Sequence, residues 1–262
     1  HVMPSYSEQS LAPNGIIPFQ ISKDEANANF GRWIKGRWFA PKDAKESAKA
    51  DAFTGIYLPY WTFDTKTASQ YTASYGKHRT VTDKDGKTRT VTDWYRTRGF
   101  YQEFIDDYLV FASTRYDIEI LKKVEPFQLK QCIPYKKDYL QGFVAERYSV
   151  GLDNGWKIAK REIHHHLESQ IKMQIYRRHN ADVIRNLQFS TVHSNITYKY
   201  LMLPLWLSSF KYRDKQYQFM VNGQTGKVGG KYPISPWKVT FVILLFVLIA
   251  LGVYVYEAYF DM

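Results

Sequence analysis

The chain has 262 residues, 45% of them hydrophobic, which suffices for a large core in one domain or two halves and excludes a disordered polypeptide. Aromatic residues reach 17%, with 21 Tyr, and such a content of half-exposed rings points to a β-rich body. The formal net charge of +11 favours an anionic partner, a membrane surface or nucleic acid, and the single cysteine, Cys132, excludes an internal disulfide or a Cys-rich zinc site within these residues.

No signal peptide opens the chain; its His-Val-Met start reads as a scar or a cut edge, and residues 1–15 as a tail or linker. The first half is expected over 16–131 and begins with Ile17-Pro18-Phe19. Ser22 followed by Glu25 is a capping box, and Ala26, Phe30 and Trp33 recur at helical spacing, which predicts a helix over 23–35. Pro41 with good helix formers behind it predicts a second helix. The stretch from Gly55 to Gly76, which contains Tyr-Leu-Pro-Tyr-Trp at 57–61, reads as paired strands. Arg-Thr-Val-Thr-Asp then occurs at 79–83 and again at 89–93 around Asp85-Gly86, a hairpin-turn signal. With little apolar area on either face, the hairpin over 77–95 should protrude, either merely solvated or as a contact arm with Arg96 and Arg98 beside it. Asp106-Asp107 reads as a solvated face plus a cap.

The second half, 132–235, repeats this order. Ile133-Pro134-Tyr135 opens it, a long helix over 154–178 carries Trp156, Ile163, Leu167 and Ile171 on one stripe, and Met-Leu-Pro-Leu-Trp stands at 202–206. A strand, a polar turn at Arg213-Asp214-Lys215 and a second strand follow, then glycine turns at Asn222-Gly223 and Thr225-Gly226. The fold class expected is therefore α+β, a duplicated unit of antiparallel strands plus helix. A proline inside each Leu-Pro-x-Trp strand cannot donate a ladder bond and should mark an edge, a strand start or a bulge. Trp61 and Trp206 read as structural aromatic anchors, each in the core of its own half; the other reading is a paired aromatic groove at a pseudo-twofold boundary.

The run Val239–Tyr256 carries no charge and is long enough to approach a hydrocarbon core. Trp237 lies at one edge and Tyr254, Tyr256 and Tyr259 at the other, so one C-terminal transmembrane helix is expected over 237–258. Lys227, Lys231 and Lys238 precede the run, and Glu257 and Asp261 follow it. The positive-inside rule places the body in the cytoplasm and the last residues outside the cell membrane, in a single pass.

Familiar catalytic patterns fail on inspection. Gly-Gln-Thr-Gly-Lys-Val at 223–228 has two residues between its glycines where a phosphate loop needs four, and Val228 stands where a Ser or Thr would hold magnesium. His164, His165 and His166 point about 100° apart on a helix, so they cannot share an ion, and the pairs Glu162/His166 and His164/Glu168 fall short of the three or four ligands zinc needs. No nucleophile elbow, metalloprotease helix or dinucleotide signature is present. No catalytic residue, cofactor site or metal ligand is assigned. The cations do cluster with aromatics. Arg32, Lys35 and Arg37 lie among Trp33 and Trp38, Arg96 and Arg98 lie in an aromatic stretch, and Arg177 and Arg178 close the long helix, with Arg185 beyond. Such residues suit single-stranded nucleic acid or anionic head groups, and tethering to a bilayer favours the second.

Taken together, Ile-Ile-Pro-Phe-Gln-Ile-Ser at 16–22, Arg-Trp-Ile-Lys-Gly-Arg-Trp at 32–38, the two Leu-Pro-x-Trp words, Val-Asn-Gly-Gln-Thr-Gly-Lys-Val at 221–228 and the apolar tail resemble the bacterial zinc-ribbon membrane proteins. These are often labelled primosomal-replication-like or helicase-like, and the resemblance covers about residues 15–258. Relatives typically begin with a Cys-x-x-Cys ribbon. These residues carry none, so zinc enters only through a ribbon outside them, and no Walker motif supports the motor that a helicase label implies. Some members stand beside SPFH-type and phage-shock-type membrane-stress proteins, which implies an adaptor. The function expected is a membrane-anchored cytoplasmic binding or scaffold module, with a lipid bilayer and a protein at the membrane as partners and self-association as an option. The alternative is a membrane-tethered single-stranded nucleic-acid binder; an enzyme with a nonstandard site ranks last.

Overall fold

The computed structural model describes residues 11–260. The expected tail over its first ten residues and the acidic flank at Asp261 lie outside the described residues. Among these, five helices and eight strands form an α+β fold. The strands are β1 (Gly15–Ile16), β2 (Thr54–Thr82), β3 (Thr88–Phe111), β4 (Ile133–Pro134), β5 (Val144–Ala145), β6 (Val183–Tyr212), β7 (Lys215–Asn222) and β8 (Val228–Gly230). The helices are α1 (Lys23–Lys35), α2 (Lys42–Ser47), α3 (Ile118–Val124), α4 (Leu152–His179) and α5 (Pro236–Phe260). One sheet carries the order β3-β2-β6-β1-β4, with β5 on β2, β7 on β6 and β8 on β7. The chain divides into two compact units, each drawing on both sequence halves. Of the described residues, unit 1 comprises 11–15, 59–114 and 147–201; unit 2 comprises 16–58, 115–146 and 202–260.

Unit 1 is built on the long antiparallel pair of β2 and β3. Gly55–Gly76 is not a pair of strands, as expected, but part of the single strand β2, whose partner β3 comes from beyond the hairpin. The polar middle of β2 survives because it alternates. Thr65, Thr67, Ser69, Tyr71 and Ala73 are buried while Lys66, Ala68, Gln70 and Thr72 are exposed. The buried hydroxyls find partners: Thr67 donates to the Glu103 carbonyl at 2.8 Å, and Ser69 and Thr191 share a hydrogen bond of 2.8 Å. The expected ribbon is therefore the far end of a longer one. Its tip turns at Gly86, with φ of 78°, while the Asp83 carboxylate accepts from the Asp85 and Lys87 N–H groups at 3.0 and 2.9 Å.

Helix α4 covers one face of this sheet. Its buried residues are Gly155, Ala159, Ile163, Leu167, Ile171 and Ile175, a strict four-residue stripe; Trp156, expected on that stripe, lies beside it and is half-buried. Ile171 and Ile175 meet Tyr71 and Ala73 of β2. Asn180 ends the helix in the left-handed region, with φ of 46°, behind Arg177, Arg178 and His179 in the last turn.

Unit 2 packs α1 on β6 and β7. The capping box is present: the Ser22 hydroxyl accepts from the Glu25 N–H and the Glu25 carboxylate from the Ser22 N–H. Ala26, Phe30 and Ile34 are buried against Trp206, Phe210, Phe219 and Val221, with Phe30 stacked on Phe219 at 4.0 Å between centroids. Ile34, rather than the expected Trp33, closes the stripe, and Trp33 packs against the edge of Tyr232 at 5.8 Å.

The repeated word has one structural role in both places. Each proline lies inside a strand rather than at an edge, start or bulge, at the point where a neighbour's ladder ends. Tyr60 pairs with Phe111 as the terminal β2–β3 pair, and the Pro59 carbonyl still accepts from the Ala112 N–H at 3.0 Å. Leu205 pairs with Asn222 as the terminal β6–β7 pair, and the Pro204 carbonyl accepts from the Gly223 N–H at 2.9 Å. Only the reciprocal bond is missing, so each proline makes half a pair and stops the ladder. Two residues on, each tryptophan donates its indole N–H to a loop carbonyl at 2.8 Å, Trp61 to Val150 and Trp206 to Ile21. Both indoles are buried, Trp61 wholly and Trp206 with 9% of its surface exposed.

Candidate functional site

Helix α5 is the feature with the plainest chemistry. Its 25 residues span about 37 Å at 1.5 Å per residue, against a hydrocarbon core of about 30 Å. Phe241, Leu244, Phe246, Leu248 and Val255 are among its exposed side chains, and no part of the apolar stretch Pro236–Tyr256 is buried in the body. By length and composition this helix could cross a membrane. The lysines written before it are tied to the body of unit 2. Lys227 donates to the Glu125 carbonyl, Lys231 pairs with Asp117 at 2.6 Å, and Lys238 donates to the Trp38 and Ala40 carbonyls at 2.8 and 2.9 Å.

Beside the start of α5, unit 2 has a cleft of about 860 Å³. Its walls include Lys42 of α2, Tyr212, Arg213 and Lys215 at the β6–β7 turn, and Trp237 and Lys238 of α5. Arg213 takes φ of 53°, and the two-residue turn brings its side chain over the Tyr212 ring, 5.1 Å from the centroid.

The seven cations expected to meet an anionic surface divide between the units. Arg32, Lys35 and Arg37 belong to unit 2, and Arg96, Arg98, Arg177 and Arg178 to unit 1. Arg32 bonds to Asn29, Arg37 donates to the Trp33 carbonyl at 3.3 Å and lies 5.0 Å from the Trp33 ring centroid, and Lys35 is exposed. Arg96 and Arg98 share a hollow of about 510 Å³ with Thr72, Ser74 and Asn186, while Arg177 and Arg178 line another with Tyr101 and Met173. The cleft cations Lys42, Arg213 and Lys215 were missed. Lys42 lies far from the other two in the sequence, and Arg213-Asp214-Lys215 was marked only as a turn.

The sheet face of unit 1 turned away from α4 was also missed. Strand alternation puts Arg96, Arg98, Phe100, Gln102 and Phe104 of β3 on it, beside Lys66, Gln70 and Thr72 of β2. Phe100 is 69% exposed and Phe104 56%. Further along, the Arg185 guanidinium lies 3.6 Å from the centroid of the Trp94 ring. A Phe-x-x-x-Phe spacing within a strand was the available signal.

Titratable clusters elsewhere hold one another. Asp107 is not a helix cap, as expected, but a strand residue at φ of 47°, next to a register shift between Phe63 and Thr65. The carboxylates of Asp64, Asp106 and Asp107 lie within 4.8 Å of one another. Lys199 pairs with Asp107 at 2.9 Å, and Thr197 donates to Asp64 at 2.8 Å. The Asp107 hydrogen bond, with Asp64 and Asp106 nearby, raises the Lys199 pKa. In the triple-histidine run, His166 bonds to Glu103 at 2.9 Å and His164 stacks on Phe189 at 4.3 Å. Gly223–Val228 is the turn into β8, its backbone held by the buried Asn222 side chain, which accepts from the Gln224 and Thr225 N–H groups at 2.9 and 3.0 Å.

No family model matches the chain, and no solved structure matches it. The chain is similar to "Uncharacterized protein YdjG" of Bacillus subtilis (strain 168), with 31% identity over 232 residues, 87% of this chain and 66% of that protein. It thus spans just under two thirds of that relative's length.

Proposed function

We propose that the chain is a membrane-anchored binding or scaffold module. In this reading α5 crosses a bacterial inner membrane once, the body stands in the cytoplasm and the C-terminus lies outside. The observation that carries the reading is α5: a helix of 25 residues, long enough to span, with its apolar stretch uncovered by the body. Lysines on the body side of the helix support the orientation. The open face of unit 1 offers a protein partner two exposed phenylalanines among Lys66, Arg96 and Arg98, which suits an apolar surface rimmed by carboxylates. The resemblance to zinc-ribbon membrane proteins supports an adaptor in a membrane-stress or SPFH-type assembly; zinc belongs to this proposal only through a ribbon outside these residues.

Alkaline carbonate extraction of membranes tests the anchor. The full chain should stay in the pellet, and Leu245→Arg with Leu248→Arg should release it, since an arginine at the centre of a membrane helix costs about 2.5–3.5 kcal/mol. A wild-type chain in the supernatant sinks the reading.

A second reading, a tethered single-stranded nucleic-acid binder, is favoured by Trp94 under Arg185 and by Phe100 and Phe104 beside Arg96 and Arg98. Base stacking contributes roughly 1–3 kcal/mol per aromatic contact. If the detergent-solubilised chain holds single-stranded oligonucleotides at physiological salt, and Phe100→Ala with Phe104→Ala abolishes it, this reading takes first place.

A further inference from the structure

We propose that the cleft at the base of α5 binds the anionic head group of a phospholipid. The inference rests on the reading of α5 as a membrane anchor and adds a specific lipid site to it. Four cations line the cleft, Lys42, Arg213, Lys215 and Lys238, against three carboxylates, Asp43, Glu46 and Asp214. Two of the carboxylates are engaged. Asp43 accepts from the Tyr212 hydroxyl at 2.7 Å and lies 3.8 Å from Arg213, and Glu46 lies 3.9 Å from Lys42. Lys215 is exposed and makes no ion pair among the described residues. The same pairs engage Arg213 and Lys42, and Lys238 is held by backbone carbonyls, but the two ion pairs are exposed and therefore weak, and the cleft keeps an excess of one positive charge, which favours an anion.

Depth decides which anion. Lys238 and Trp237 are the last polar-edge residues before the apolar run, so an inserted α5 sets the cleft at the level of the head groups. The cleft lining also has apolar members. Ile234 is 59% exposed and Trp237 68%, and they continue into Phe241 of α5, 55% exposed. A free phosphate would use the cations and leave this strip bare. A phospholipid uses both, its phosphate on Arg213, Lys215 and Lys42 and its acyl chains along α5.

Native mass spectrometry of the full chain in neutral detergent, offered phosphatidylglycerol and phosphatidylcholine in equal amounts, tests the site. Wild type should retain phosphatidylglycerol in excess. Lys42→Gln with Arg213→Gln and Lys215→Gln should lose at least about tenfold in that retention, since each cation near an anionic surface contributes roughly a fivefold factor. The charge-keeping variant Lys42→Arg, Arg213→Lys, Lys215→Arg should bind as wild type does, which shows that the loss is not misfolding. Removing three charges at the hairpin tip, Lys84→Gln, Lys87→Gln and Arg89→Gln, should leave retention unchanged. Equal retention of the two lipids overturns the proposal, as does an equal loss in the hairpin variant, or displacement of phosphatidylglycerol by millimolar inorganic phosphate. Carbonate extraction of the same proteins separates the two failures: release of wild type sinks the anchor itself, while a membrane-held chain without lipid preference sinks only the head-group site.

Discussion

Trp61 and Trp206 each close a core and tie a loop carbonyl to a strand. Truncation removes a large buried ring and leaves the Val150 or Ile21 carbonyl without its donor. Trp→Ala at either position should cost about 3–5 kcal/mol, read as a lower urea midpoint, and unchanged midpoints would contradict the anchor role. Spacing makes Gly155 part of the same arrangement: a Cβ there would lie 2.8 Å from the Trp61 ring. His193 answers to pH. Its Nδ1 is buried without a hydrogen-bond partner, the ring meets Trp156 at 5.3 Å, and burial, then Lys160, lowers its pKa from 6.5. The pKa of His179 is lowered too, by burial first and then by Arg178 and Lys77. A folded pKa below the unfolded value means that the unfolded chain takes up protons first. These two groups therefore cost stability as pH falls below about 6.5, and have no effect above it. Urea midpoints should fall between pH 7 and 5.5, and His179→Gln with His193→Gln should flatten that fall; an undiminished fall would assign it to other groups.

At the level of elements, whatever was local was legible. Ser22 and Glu25 announced α1, Asp85-Gly86 the hairpin tip, and the uncharged run α5, because each signal lies within a few residues of what it specifies. The extent of β2 and β6 was not legible. Both run through polar segments whose burial depends on partners far along the chain, Glu103 and Thr191 for β2. The prolines misled for the same reason: a missing N–H is harmless where a ladder ends, and the ladder's end is set by β3 and β7. The stop of α4 is local and testable. Asn180 at φ of 46° suits Asn or Gly and strains a β-branched residue. Asn180→Val should lower stability by about 1–2 kcal/mol and Asn180→Gly should leave it near wild type, both measured by urea unfolding. Equal losses would mean that the side chain, not the backbone conformation, matters.

For the whole molecule, the sequence carried the long apolar helix and the repeated Leu-Pro-x-Trp word but not the cleft. Lys42, Arg213 and Lys215 meet around one cleft only after α2 and the β6–β7 turn are in place. The open face of unit 1 likewise needs a sheet with a helix on one side only before Phe100 and Phe104 count as exposed. We propose a body held on the cytoplasmic side by a single crossing of α5. Cysteine accessibility in intact cells tests it most directly. On a Cys132→Ser background, Lys84→Cys at the exposed hairpin tip and Met262→Cys are treated with a membrane-impermeant maleimide. A single crossing with the body inside predicts labelling at position 262 in intact cells and at position 84 only after permeabilisation. Labelling at position 84 from outside, or at neither position until the membrane is opened, would contradict it.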